Sequence, residues 1–122
     1  MVLKKKILIV EDEKSLAEAL AAKLEKSGFI SEMAFNGVEG LKKFNLLKPD
    51  LILLDIIMPE MDGIEMLKEL RKTSDIPVVM LTNLSDPEKL SEALESGSHD
   101  YLIKSNYSLE GVIDKINEIL KK

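Results

Sequence analysis

Short apolar runs alternate with helical patterns along the whole chain. Ile7-Leu8-Ile9-Val10 comes first, followed by leucines at 16, 20 and 24, a four-residue spacing that predicts a helix with Gly28 as the residue just past its end. Ile30 to Phe35 is a weaker strand candidate, and Asn36-Gly37 opens a second helix carrying Val38, Leu41 and Phe44. Leu51-Ile52-Leu53-Leu54 is the third strand, and after a loop through Pro59 and Asp62-Gly63 a third helix carries Ile64, Leu67 and Leu70. Val78-Val79-Met80-Leu81 comes after Pro77, and Ser85-Asp86-Pro87-Glu88 reads as the capped start of a fourth helix that Gly97 closes. Tyr101-Leu102-Ile103 is the last strand, and Leu109, Val112, Ile113, Ile116, Ile119 and Leu120 mark the final helix.

Five strand–helix units result. Four of the strands are apolar on consecutive residues, the pattern of a sheet covered on both faces. Strands separated by helices predict an α/β fold, a doubly wound parallel sheet with right-handed crossovers. No linker, repeat or low-complexity segment breaks the pattern. One domain over 1–122 is expected, and because the chain stops as the fifth helix completes, no output domain is expected on it.

Composition narrows the chemistry. There are 122 residues with 45% hydrophobic content, enough for one modest core. No cysteine is present, which excludes disulfides, thiolate metal sites and a cysteine nucleophile, and His99 is the single histidine. The net charge of −5 argues against broad nucleic-acid or anionic-membrane binding, and Arg71 is the one arginine among 17 basic residues. No apolar run approaches the ~20 residues of a membrane span. The expectation is a small, soluble, intracellular domain.

The polar residues that terminate the apolar runs are more informative. Val10 leads into Glu11-Asp12-Glu13, Leu54 into Asp55, Leu81 into Thr82 and Ile103 into Lys104. In a parallel sheet these positions share the C-terminal edge, where open α/β sheets bind ligands. Glu11, Asp12 and Asp55 together would repel one another, so either one is protonated or a cation is bound. Oxygen ligands without Cys or His favour a hard ion, Mg²⁺ before Ca²⁺. Asp55 would then be a nucleophile towards phosphorus, Lys104 would neutralise phosphoryl oxygens, and Thr82 would donate a hydrogen bond to one of them.

The ordered set Ile7-Leu8-Ile9-Val10-Glu11-Asp12, Asp55-Ile56-Ile57-Met58-Pro59-Glu60-Met61-Asp62-Gly63, Thr82 and Gly97-Ser98-His99-Asp100-Tyr101-Leu102-Ile103-Lys104 resembles the receiver domain of two-component response regulators. The resemblance covers nearly the whole chain. It implies a flavodoxin-like strand order 2-1-3-4-5 and phosphorylation of Asp55 by a sensor histidine kinase or a histidine phosphotransfer protein. It also implies Mg²⁺ held by Asp12, Asp55 and the Ile57 carbonyl, with Glu11 acting mainly through water. Thr82 and Tyr101 match the family's switch pair, and Lys104 its phosphate-contacting lysine. The resemblance further implies a cytoplasmic protein, with an unnamed downstream protein or output domain as partner and a homodimer compatible with the pattern. By the same analogy Leu16 and Ala19 on the first helix are exposed kinase contacts.

This chain departs from the family at four positions. Ser105 comes after Lys104 where the family usually has a cis-proline, Asn83 comes after Thr82 where a small residue is common, and Ile57 and Leu84 are apolar where the family influences phosphoryl hydrolysis. Slow self-dephosphorylation is therefore expected. Ordinary roles compete at each position: adjacent acids complement a helix N-terminus, a lysine after a strand is commonly solvated, Tyr101 fits a half-buried edge strand, and Asp62-Gly63 reads as turn chemistry. A phosphatase of the haloacid dehalogenase type needs a second acid where Ile57 stands, and a flavin-binding loop is opposed by Glu11-Asp12-Glu13. A receiver-like module that is never phosphorylated is the remaining rival.

Overall fold

The computed structural model describes residues 4–82, 87–104 and 107–121. Its elements are β1 (Lys6–Val10), α1 (Lys14–Lys26), β2 (Ile30–Ala34), α2 (Gly37–Leu47), β3 (Leu51–Leu54), α3 (Gly63–Leu70), β4 (Val78–Thr82), α4 (Pro87–Glu95), β5 (Asp100–Ile103) and α5 (Leu109–Leu120). All strand pairs are parallel, in the order β2-β1-β3-β4-β5. The alternation of strand and helix thus produces the doubly wound parallel sheet expected of it, in the flavodoxin-like order that the family resemblance implies. The cap at Ser85-Asp86, the residues Asn83, Leu84 and Ser105, and the Lys104–Ser105 peptide lie outside the described residues.

The consecutive apolar strands are explained by two cores. Ile7, Ile9, Leu51, Leu53, Val79, Leu81 and Leu102 pack with Ala17, Leu20 and Leu24 of α1 and Val112, Ile113 and Ile116 of α5. Their neighbours Leu8, Val10, Ile52, Leu54, Val78 and Met80 point the other way, onto Ile64, Met66 and Leu67 of α3 and Leu90 and Ala93 of α4. Period-two geometry sends successive side chains to opposite faces, so a strand covered on both sides has no polar position to alternate with. β2 lies at the sheet edge, and only Ala34 of its five residues is buried. Leu16 is half-buried against the first core rather than free on the surface, whereas Ala19 is exposed.

Helix ends obey local chemistry. Asn36, Asp62 and Ser108 each accept a hydrogen bond from the backbone three residues on. Asp62 is therefore the N-cap of α3, part of a reciprocal capping box with Glu65, rather than turn chemistry. Gly97 has φ +106, and its carbonyl accepts from Arg71 Nε at 3.0 Å and Nη2 at 2.7 Å. The chain's one arginine thus ties the end of α3 to the α4–β5 loop.

Candidate functional site at the carboxyl edge of the sheet

The site begins where the strand ladders end. Glu11 N–H donates to Ala34 O and Asp55 N–H donates to Val10 O, both at 3.0 Å. These bonds set Glu11 and Asp55 one residue beyond paired positions of β1 and β3 (Val10 opposite Leu54). Thr82 closes β4 opposite Ile103, which puts Lys104 one step further out. The parallel register therefore gathers four sequence-distant segments at one edge, beside β1 where the strand order turns.

A cavity of about 300 Å³ opens there, lined by Glu11, Asp12, Glu13, Asp55, Ile57, Thr82 and Lys104. Glu11, Asp55 and Thr82 are buried, and Asp12 and Glu13 are exposed. Lys104 Nζ donates to Glu11 Oε1 at 2.5 Å and to Asp55 Oδ2 at 3.4 Å. Glu11 Oε2 accepts from Glu13 N–H at 3.0 Å, so both oxygens of this buried carboxylate are used. The β3–α3 loop is braced from behind. Gly63 N–H donates to Ile56 O at 2.7 Å, and a Cβ on Gly63 would stand 2.1 Å from Asp55 O. Glu60 in the same loop takes a left-handed φ of 68°.

Charge is poorly balanced in this pocket. Burial, then the neighbouring charge of Glu11, pushes the Asp55 carboxyl up to about 7, with Lys104 opposing. For Lys104 burial alone acts downwards, but the bond to Glu11 and the charges of Asp55 and Glu11 outweigh it and raise the ammonium above the ordinary lysine value. One carboxylate oxygen each from Glu11, Asp12 and Asp55 lies within 4.8 Å of the others. An all-oxygen set, with one member exposed to solvent, fits a hard divalent ion that keeps part of its water. A cation there would satisfy the negative charge that Lys104 alone leaves uncompensated.

Six of the seven residues singled out from the sequence line this one cavity; Tyr101 does not. It is half-buried on β5 against the α3–α4 core, and it lines a second cavity of about 340 Å³ with Asp100, Ile103, Tyr107 and Lys115. Sequence reasoning missed Glu13 as a cavity residue and Gly63 as the neighbour of the Asp55 carbonyl. For Glu13 the signal was present, since it stands directly after the acidic pair; for Gly63 the contact is tertiary. His99 lies in an exposed loop, as its sequence context predicts. Among the described residues, no helix is long and apolar enough to cross a membrane.

Comparison with known proteins agrees with this geometry. The sequence profile of the response regulator receiver domain matches residues 7–117. The probable transcriptional regulator ycf27 of Cyanophora paradoxa is 40% identical over 119 residues, 98% of this chain and 49% of that protein. The DNA-binding response regulator MtrA of Mycobacterium tuberculosis is 40% identical over 102 residues, 84% of this chain and 45% of that protein. The chain spans about half the length of the curated relatives it matches. Among solved structures, a two-component response regulator from Clostridium difficile superposes with a TM-score of 0.93 at 34% identity, covering 98% of each chain. The BeF3-activated N-terminal receiver domain of Klebsiella pneumoniae RstA gives 0.90 at 30% identity, over 96% of this chain and 99% of that one. With the profile spanning nearly all of β1 to α5 and these structures sharing its sheet, the chain belongs to the response regulator receiver domain family of two-component signalling proteins.

Proposed function

We propose that Asp55 is the phosphoacceptor of this receiver and that its modification switches a partner-binding surface. The observation that carries the reading is the placement of the Asp55 carboxyl: buried in the cavity, 3.4 Å from Lys104 and clustered with Glu11 and Asp12. One Asp55 oxygen attacks the phosphorus of a phosphohistidine. The P–N bond breaks, and the leaving imidazole takes a proton from solvent, leaving an aspartyl-phosphate. Lys104 is within reach to pair with a phosphoryl oxygen, and Thr82 lines the same cavity.

Mg²⁺ fits the donor set of Glu11, Asp12, Asp55 and the Ile57 backbone, and when bound it supplies neutralisation of the phosphoryl charge. The protein's own part is to hold Asp55 in line, exclude bulk water and offer Lys104 as counter-charge. Thr82 drawn towards the phosphoryl group, with Tyr101 rearranging on the adjacent strand, is the switch we assign. It alters the surface near α4 and α5. The donor is a sensor histidine kinase or a histidine phosphotransfer protein, and the receiver acts in the cytoplasm. The whole described chain serves as one receiver, a signalling domain rather than a turnover enzyme. Downstream it addresses a partner protein or an output domain, with pairing of two copies compatible, and it makes no direct contact with nucleic acid.

Intact mass after incubation with acetyl phosphate tests the reading. One phosphoryl group is expected on the wild-type chain, dependent on Mg²⁺ and absent from Asp55→Asn. A mass unchanged both with acetyl phosphate and with a panel of phosphorylated kinases would leave the unphosphorylated interaction module as the better account.

A further inference from the structure

Glu13 lines the cavity with Glu11, Asp12 and Asp55, and the phosphoryl transfer proposed above assigns it no step. It occupies the N-cap of α1 with extended backbone (φ −81°, ψ 100°), yet its side chain makes no capping bond. Asn36, Asp62 and Ser108 do cap their helices in the same chain. The Glu13 backbone is engaged, through its N–H to Glu11 Oε2. Its carboxylate, in contrast, is exposed and has no hydrogen-bond or ion-pair partner among the described residues. No side chain among the described residues pairs with this charge.

Its electrostatic setting is one-sided. Four carboxylates line the cavity against the single ammonium of Lys104, which lies nearest to Glu11. With all four ionised, a divalent cation still leaves one net negative charge, and Glu13 is the one of the four outside the carboxylate cluster that could hold that cation. Like charge at a cavity mouth slows entry of anions, and the effect is screened by salt.

We infer that Glu13 selects the phosphoryl donor. It disfavours small dianionic donors such as acyl phosphates relative to donors that carry less negative charge. The inference rests on Asp55 being the acceptor and adds what decides who may deliver the phosphoryl group.

The test tracks phosphorylation of the full chain by intact mass at saturating Mg²⁺, for wild type, Glu13→Gln and Glu13→Lys. Acetyl phosphate is the dianionic donor, losing acetate as its P–O bond breaks. Phosphoramidate carries less net negative charge and loses ammonia as its P–N bond breaks. At low ionic strength Glu13→Gln is expected to react about threefold faster with acetyl phosphate and Glu13→Lys about tenfold faster, with a clearly smaller gain for phosphoramidate. The gain should vanish near 1 M salt, where the screening length is about 3 Å. Thermal unfolding without donor should shift only slightly in Glu13→Gln, since no hydrogen bond or ion pair among the described residues is lost and only one charge leaves the N-terminus of α1. Equal gains with both donors, a salt-independent gain or no gain overturns the role of Glu13 while leaving Asp55 as acceptor. A folded wild-type chain labelled by neither donor and by no phosphorylated kinase of the panel overturns the acceptor reading, and the selectivity falls with it.

Discussion

Lys104 is held closer to Glu11 than to Asp55: its Nζ lies 2.5 Å from Glu11 Oε1 and 3.4 Å from Asp55 Oδ2. The lysine side chain is 12% exposed and Glu11 2%, so the closer pair is desolvated. The ammonium is therefore committed chiefly to Glu11, and a phosphoryl group on Asp55 would compete for it. Removing one member of a buried pair leaves an uncompensated charge, which typically costs about 3–5 kcal/mol. Lys104→Met should lose about 3 kcal/mol in urea unfolding with chelator present, and added Mg²⁺ should restore part of it. A loss below about 1 kcal/mol would mean that solvent already supports Glu11.

The Asp55 carboxyl, raised to about 7 from the ordinary aspartate value of 3.8, makes stability depend on pH in a definite direction. A folded acid with a raised pKa holds its proton longer than the unfolded chain does. Its contribution is therefore greatest at low pH and is lost as pH rises from about 3.8 to about 7. The metal-free protein should lose stability over that window relative to Asp55→Asn, in which the component is absent. Divalent cations compete with the same proton, so their affinity should climb as pH approaches 7 and level off above it. Parallel urea curves for wild type and Asp55→Asn across the range settle the sign.

Much of the fold and the site is legible in the sequence. Uninterrupted apolar runs such as Leu51–Leu54 announce a two-sided sheet, and the polar residue after each run marks its functional edge. Lys104 is the least readable of the set, because a lysine after a strand is usually solvated; only the parallel register brings it to Glu11, 93 residues away in sequence. The capping box at Asp62 has a sequence signature, acid then Glu65 three residues on, hidden by the turn-like Asp62-Gly63 pair. Tyr101 matches the family's switch partner of Thr82, and the structure packs it against the α3–α4 core rather than into the cavity. Arg71 gives no signal, since its partners are backbone carbonyls, Ser74 O nearby and Gly97 O 26 residues away.

Gly63 supports Asp55 through backbone alone. A methyl group there would stand 2.1 Å from the Asp55 carbonyl oxygen and 2.9 Å from Ile56 Cα, atoms that cannot swing aside as a side chain would. Gly63→Ala should destabilise the fold by about 1–3 kcal/mol, the usual range for overpacking. It should also slow phosphorylation of Asp55 by more than the stability loss explains, because the acceptor's own peptide must move. Rates measured well below the unfolding midpoint separate the two effects. An alanine variant with wild-type rate and stability would show that the loop yields freely.

If Asp55 is the phosphoacceptor, Ile57 is the residue expected to set how long a phosphoryl group lasts on it. Its side chain is 60% exposed at the cavity and carries no group able to orient a water molecule towards phosphorus. Hydrolysis needs that water in line opposite the Asp55 oxygen, and an apolar side chain at the entrance both excludes and fails to hold it. The aspartyl-phosphate should therefore decay slowly, and Ile57→Asn should hasten decay on the order of tenfold, less than a full general base supplies. Loss of the mass adduct after donor removal reads both rates. A wild-type half-life of seconds, or an asparagine variant no faster than its parent, would place control of hydrolysis elsewhere in the site.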